Sequence, residues 1–420
     1  KMLQLESLFT YKGDNFVPEE YRHEEFDNLN IHGISTFTFN NDGTSFDLQL
    51  DKFDAKMKIH PLRFEKFNGR IHYEKDHIVI EDFSGKLGHS IFNTTLNYYT
   101  GDNEKLKKRE NHFSIKASRL DIDELIKYNP APAIKKVNNS VEKIDHDAGF
   151  NIYELPFTHM TYHLDINQLN YNKHLLNNIK GDLRTTPNHY IHIDHLKMDA
   201  AGGHFDISGY FNGSNPKLIY FSPNIHAKNV DLDKLLVKFD NFGQDHLVSE
   251  NLHGKFTGRI TGKIHMHNDL VPKIDDSEIH MDLDVTHGRL ENYSLLFYMS
   301  DYFKDKNLNK VLFDTLNNHI DINKGQVTIP KMTINSSLGH MEISGKQDLA
   351  GNMEYYLSIP WKMVSKTAAT KLFGKSKTDE ELASQVDEIQ YQGKNTKYVN
   401  ITIVGNEKGY KFSLGKDKNK

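Results

Sequence analysis

The sequence predicts a mainly β protein, built from repeated antiparallel β-meanders with a few amphipathic helices. Three observations carry this reading. Apolar and polar residues alternate strictly over many short runs. Clusters of Gly, Asn and Asp separate those runs at hairpin spacing. One ordered series of strand and turn signals recurs along the chain.

The clearest alternation is Ile279-His280-Met281-Asp282-Leu283-Asp284-Val285. Its apolar side chains fall on one face and its polar ones on the other, as in a half-buried strand. Ile191 to Asp194, Phe205 to Ile207, Val399 to Ile403 and Tyr410 to Leu414 repeat the pattern. Turn signals lie at Asn40-Asn41-Asp42-Gly43, Phe211-Asn212-Gly213 and Ala350-Gly351-Asn352.

Helical signals are fewer. Leu120 to Leu125 and Val230 to Leu236 read as short helices with Asp at the capping end. Tyr293 to Leu316 reads as a longer amphipathic helix or helix pair. Asp379 to Tyr391 reads as another, with Thr378 as N-cap and Glu381 completing a capping box. The Asp121/Asp123 and Asp231/Asp233 pairs are explained by helix capping rather than by acid–base chemistry.

The repeat opens at Asn68-Gly69-Arg70-Ile71 and passes Gly88-His89, a turn at Gly101 and the helix at Asp121. A second copy opens at Lys180-Gly181-Asp182-Leu183 and passes Gly203-His204, Gly213 and Asp231. A third, modified copy holds Gly325-Gln326-Val327, Gly339-His340 and Gly351. The Gly-His pairs are expected at bulges or tight bends. The expected organisation is an N-terminal β-repeat region over 1–129, a linker or surface loop over 130–147, a second repeat over 148–251 and a C-terminal region over 252–420.

Composition bounds the function. The chain has 420 residues, 37% hydrophobic and 26% charged, which is enough for a substantial core. A net charge of -5 gives no support for nucleic-acid binding. The absence of cysteine excludes disulfides, thiolate metal sites and cysteine nucleophiles. No apolar stretch reaches the roughly 20 residues of a membrane-spanning helix. The first residue is Lys1 rather than Met, so a membrane anchor is expected upstream of this chain.

No nucleophile elbow, phosphate loop or zinc-protease motif is found, so the chain is expected not to be an enzyme and to need no cofactor. His265 with His267, and His192 with Asp194, share strand faces at a spacing that zinc can use. Their place on the polar side of a strand, where exposed histidine is ordinary, explains them better, and no metal site is expected. A basic segment with Lys362, Lys366, Lys371, Lys375 and Lys377 lies beside Trp361, Met363, Leu372 and Phe373. It reads as a solvated loop or as a contact for an anionic membrane surface.

Residues 252 to 415 carry a longer pattern: Gly254-Lys255-Phe256-Thr257-Gly258, then the strand before Gly288-Arg289-Leu290, then Gly325 to Ile334, Ser336 to Gly345 and Tyr356 to Pro360. This order resembles the C-terminal region of the AsmA-like family of envelope proteins. The resemblance implies an elongated sheet, curled into a taco-like form with an apolar groove. It also implies a periplasmic location, a role in outer-membrane integrity, and phospholipid or another amphipathic lipid as partner, beside the membrane surface and envelope proteins.

An acyl chain needs a continuous apolar track, which strands with one apolar face provide. The candidate lining is Ile279, Met281, Leu283, Val285, Val327, Ile329, Met332, Ile334, Met341, Ile343, Leu357, Ile359, Ile401 and Ile403. The same side chains can instead close on each other as a dry core. A second functional expectation is an assembly factor that pairs exposed sheet edges with other β-proteins.

Overall fold

A computed structural model describes residues 3–4, 25–40, 43–58, 62–126, 152–154, 157–171, 174–238, 250–268, 270–300, 302–303, 307–364, 387–391, 394–406 and 408–416. The protein is mainly β, as expected from the alternation. Its contacts separate into two compact units. The first comprises Lys1–Ala200, Asp206–Tyr220 and Met266–Val271; the second comprises Ala201–Phe205, Phe221–His265 and Pro272–Lys420.

The first unit contains β1 (Leu3–Gln4), β2 (Glu25–Asn40), β3 (Gly43–Met57), β4 (Arg63–Glu74), β5 (His77–Leu87), β6 (Ser90–Tyr99), β7 (His112–Asp121), β8 (Met160–Tyr171), β9 (His174–Thr186) and β10 (Tyr190–Ala200). Successive strands pair antiparallel, except that β7 and β8 run parallel. Helix α1 (Glu104–Glu110) starts where the Asn103 side chain accepts from the N–H groups of Lys105 and Leu106. Glu104 in its first turn and Lys107, Lys108 and Arg109 in its last suit the helix dipole. Helix α2 (Ile122–Ile126) follows β7, and Asp121 Oδ1 accepts from Glu124 N at 3.1 Å, the capping role expected of it.

One face of β2–β6 carries a chain of phenylalanines. Phe26, Phe53, Phe64 and Phe67 meet at centroid distances from 5.4 to 6.3 Å, and Phe67 continues to Phe83 and Phe92. Edge-to-face and tilted contacts of this kind add to the stability from area burial. A second small core joins Ala117, Ile166 and Ile179 across β7, β8 and β9.

Strand β11 (Gly203–Asn212) and strand β12 (Tyr220–Asp231) divide between the units at Phe205 and Tyr220. The second unit continues with α3 (Leu232–Lys238), β13 (Leu252–His265), β14 (Glu278–Glu291), α4 (Ser294–Tyr298), β15 (Lys310–Asn323), β16 (Gln326–Ser336), β17 (Gly339–Asp348), β18 (Met353–Pro360), β19 (Asp387–Tyr391), β20 (Lys394–Asn406) and β21 (Gly409–Leu414). Strands β13 to β18 pair in sequence order, β18 pairs β20, and β20 also takes β19 and β21, all antiparallel.

The repeat is visible in the element order. Four strands followed by a helical turn occur as β4–β7 with α2, as β9–β12 with α3, and as β15–β18 with the turn Trp361–Met363. The first two helices begin 232 − 122 = 110 residues apart. The Gly-His pairs sit at hairpins. Gly88 and His89 form the two-residue loop between Leu87 and Ser90, whereas Gly203 and Gly339 open the strands that follow such a loop.

Two helix expectations need correction. Among the described residues of Tyr293 to Leu316, only Ser294–Tyr298 is α-helical, and Lys310–Asn323 is a strand paired along its length with β14. Of Asp379 to Tyr391, Asp387–Tyr391 is a strand in a hairpin with β20, and 379–386 lies outside the described residues. The 130–147 linker and the Lys366 to Lys377 part of the basic segment also lie outside them.

Candidate functional site

All fourteen candidate residues belong to strands β14, β16, β17, β18 and β20 of the second unit. Register turns them into cross-strand ladders on one face. Val285 pairs Phe256 and Leu316; Met281 pairs Ile260 and Ile320; Ile279 pairs Ile322, which pairs Val327. Met332 pairs Ile343, Ile343 pairs Leu357, Leu357 pairs Ile401, and Ile401 pairs Leu414. Ile334 pairs Met341. Ile403 pairs Tyr355 and Phe412. Ile359 pairs Val399.

A register shift between Ile329 and Met332 keeps this face continuous. Without it the side-chain period of two would send Met332 and Ile334 to the opposite side from Ile329.

The ladders differ in cover. At the β17–β21 end, Met341, Leu357, Ile359, Ile401 and Ile403 lie in a closed core. Leu295, Leu296 and Met299 from α4 and its cap, then Tyr302, Phe303 and Leu308, supply the lid. Tyr355 packs there too and donates to Gln347 Oε1 at 2.6 Å, and burial pushes its hydroxyl pKa up. Its ring lies over Gly345: a Cβ at Gly345 would stand 2.4 Å from Tyr355 Cδ1, and φ there is +151°. Only glycine leaves that space and takes that backbone without strain.

At the other end, Phe256, Ile260 and Leu283 pack with Val230, Leu232 and Leu235, the last two from α3. Between the two covered ends, Met281, Ile320, Ile322, Val327, Met332 and Ile334 are only half-buried, and Ile329 is half-buried against the closed core. Here β15 and β16 also come apart. Their ladder holds at Phe313↔Ser336 and at Asp321↔Thr328, with no ladder pair between these among the described residues. Pro330 falls in this stretch and has no N–H to donate; its carbonyl accepts from Asn318 Nδ2 at 3.4 Å.

The sheet's polar faces hold the ionic groups. Asp194 accepts both Nε and Nη2 of Arg184 at 2.6 Å, and these hydrogen bonds hold its carboxyl below the ordinary range. His192 stacks near Tyr190 and Tyr210 instead of converging with Asp194 on a shared ligand. His265 and His267 likewise belong to no convergent set of three ligand groups among the described residues. Two sets do converge: His280 with His319 and Asp321, and His89 with Asp121 and Glu124. Neither stands out as a motif, because each is assembled across strands. The alternating His280-Met281-Asp282 and His319-Ile320-Asp321 runs are the only sequence trace of the first.

In the second set the carboxylates already serve the fold. Glu124 accepts from the backbone and ring of His89 at 2.7 and 3.0 Å. Asp121 is buried and accepts from Asn170 Nδ2 at 3.1 Å as well as capping α2. Burial raises its pKa, but the hydrogen bonds from Glu124, Asn170 and Arg119 outweigh this and lower it.

Among the described residues no helix is long and apolar enough to cross a membrane. No family model, curated protein or solved structure matches the chain.

Proposed function

We propose that the second unit binds the acyl part of a phospholipid or similar amphipath, as a non-enzymatic module of a cell envelope. The observation that carries this reading is the half-buried apolar surface at β14–β16, of which Ile320, Met332 and Ile334 lie where β15 and β16 lose their ladder pairs. Such a surface offers methylene contacts without polar chemistry, and each buried CH₂ is worth about 0.8 kcal/mol. Met281 and Met332 there suit chains of variable shape. The AsmA-like resemblance of residues 252 to 415 supplies the lipid class, the periplasmic location and the link to outer-membrane integrity.

The covered end plays a different part in this reading. Leu357, Ile359, Ile401 and Ile403 serve as the core that holds the strands in register, and the lining is narrowed to the half-buried set.

The test is native mass spectrometry and lipid extraction of protein purified under mild conditions, with photo-crosslinkers at Met332 and Ile401. Phospholipid captured at Met332 and not at Ile401 is the expected result. Lipid-free protein whose Met332 probe captures only its own chain would sink the reading.

One observation favours a second reading, an assembly factor acting through sheet edges. On β2, Ile31, Ile34, Phe37 and Phe39 are exposed by 60 to 77%. Large apolar side chains along such a strand suit pairing with another β-protein. A probe at Phe37 that captures a β-protein, with no lipid found at Met332, would favour this reading over the first.

A further inference from the structure

Five titratable side chains form one connected row on the polar face of the β14–β15 pair. Glu278, His280 and Asp282 alternate along β14, and His319 and Asp321 along β15. Register sets His280 opposite Asp321 and Asp282 opposite His319. Asp321 Oδ1 is 2.5 Å from His280 Nδ1 and 2.9 Å from His319 Nε2. The far nitrogen of each ring also meets a carboxylate. His319 Nδ1 is 2.8 Å from Asp282 Oδ1, and His280 Nε2 is 3.3 Å from Glu278 Oε1. The two imidazoles stack at 6.2 Å with 12° between their planes.

The geometry points to a divalent transition-metal site, with His280 Nδ1, His319 Nε2 and the Asp321 carboxylate as ligands and zinc as the best-matched ion. Two imidazoles and a carboxylate are a donor set that zinc accepts, with bonds of about 2.0–2.2 Å. One ligand atom from each residue lies within 4.8 Å of the others, so small side-chain rotations on this half-exposed face bring all three onto one ion. Three ligands leave a fourth position open to water.

The outer carboxylates add an argument that a chance cluster lacks. A histidine that ligates through one nitrogen carries its proton on the other, and a carboxylate there fixes the tautomer and ring orientation. Asp282 does this for His319 and Glu278 for His280. When both rings ligate as neutral imidazoles, the carboxylate at the centre of the row, Asp321, faces the metal position. On β13, Arg259 stands opposite Asp282 and Lys263 opposite Glu278, so the neighbouring cations face the outer carboxylates. On β16 the neutral Thr328 faces Asp321. Protons compete with a metal ion for these ring nitrogens.

The test is zinc binding to the full chain after chelator treatment, by equilibrium dialysis and calorimetry. The double variant His280→Ala/His319→Ala is the reference, since the chain's 24 histidines bind some zinc non-specifically. The wild type is expected to hold one zinc per chain beyond that reference. Either single alanine variant is expected to weaken that site at least about tenfold, and His89→Ala to leave it unchanged. Circular dichroism checks folding, and His319→Gln, which keeps a polar side chain, carries the test if the alanine variants do not fold. Zinc uptake by the wild type equal to that of the double variant, or of a folded His319→Gln, would overturn the assignment. This outcome is independent of whether lipid co-purifies.

Discussion

A Cβ placed on Gly85 would stand 2.5 Å from Cγ of Phe67, so the Phe67 ring fills the space that any other residue at position 85 would need. The pair sits inside the phenylalanine chain of the first unit, where Phe67 touches Phe53, Phe64, Phe83 and Phe92. Phe67→Ala is expected to destabilise the protein by about 3–5 kcal/mol, from lost transfer energy and an unfilled cavity. Gly85→Ala is expected to destabilise by overpacking, by about 1–3 kcal/mol. Urea unfolding followed by circular dichroism measures both, and a neutral Gly85→Ala would show that the ring yields freely.

In the second unit, cover should separate two kinds of apolar residue. Ile401 is buried between Leu357 and Leu414, and Ile401→Ala is expected to cost about 2–5 kcal/mol. Met332 is only half-buried, so Met332→Ala is expected to cost less. It should still reduce co-purified lipid if the proposed reading holds. Equal loss of stability from the two variants would mean that both belong to one closed core.

The acid limb of stability has a specific contributor in Asp194. Its folded pKa lies below the unfolded value of about 3.9, chiefly through hydrogen bonds from Arg184. A depressed carboxyl contributes stability that is present above the unfolded pKa and lost as pH falls through the folded one. The stability difference between wild type and Asp194→Asn is therefore expected to be largest near neutrality and to shrink below about pH 4. Both partners are partly exposed, so the effect is expected to be small and to weaken with added salt. Paired denaturation curves at three pH values measure it, and a difference that grows on acidification would contradict the assignment.

Asp121 offers a sharper case, because it is buried and caps α2. Asp121→Ala is expected to cost at least about 0.5–2 kcal/mol, the usual value of an N-cap, and to release Asn170 and His89 signals together in amide-exchange measurements. If exchange changes only within α2, the cap is local and does not tie β6, β7 and β8.

Much of the fold was legible because alternation is a local signal. Ile279 to Val285 shows its buried face in any window of seven residues, and its strand is found there. Lys310–Asn323 was not legible in the same way. Val311-Leu312-Phe313 and Leu316 have the spacing of an amphipathic helix, and the strand exists because β14 supplies its partner from outside the window. His287, whose φ is +53°, lies at the β13–β14 bulge, while β14 and β15 keep one register on either side of it. Within each alternating run the candidate residues share a face, but Ile329 and Met332 are brought to the same side only by the bulge between them. Which of them lie under α4 and its flanking residues depends on a lid whose docking no periodicity records. The His280, His319 and Asp321 cluster was invisible for a related reason: it is a product of register, with His280 on one strand 41 residues from Asp321 on the next.

The parallel contact of β7 with β8 has a consequence for the order of assembly. Most hairpins of the first unit close over a few residues, as Leu87↔Ser90 does, and each can form as soon as its own turn does. Joining His112 to Thr161 instead requires a loop of 161 − 112 = 49 residues to close first. Closure entropy rises only slowly with such length, but it is lost before any contact compensates it. The strands on either side of this seam can thus zip locally before they join, and the seam carries a larger closure cost than the hairpins beside it.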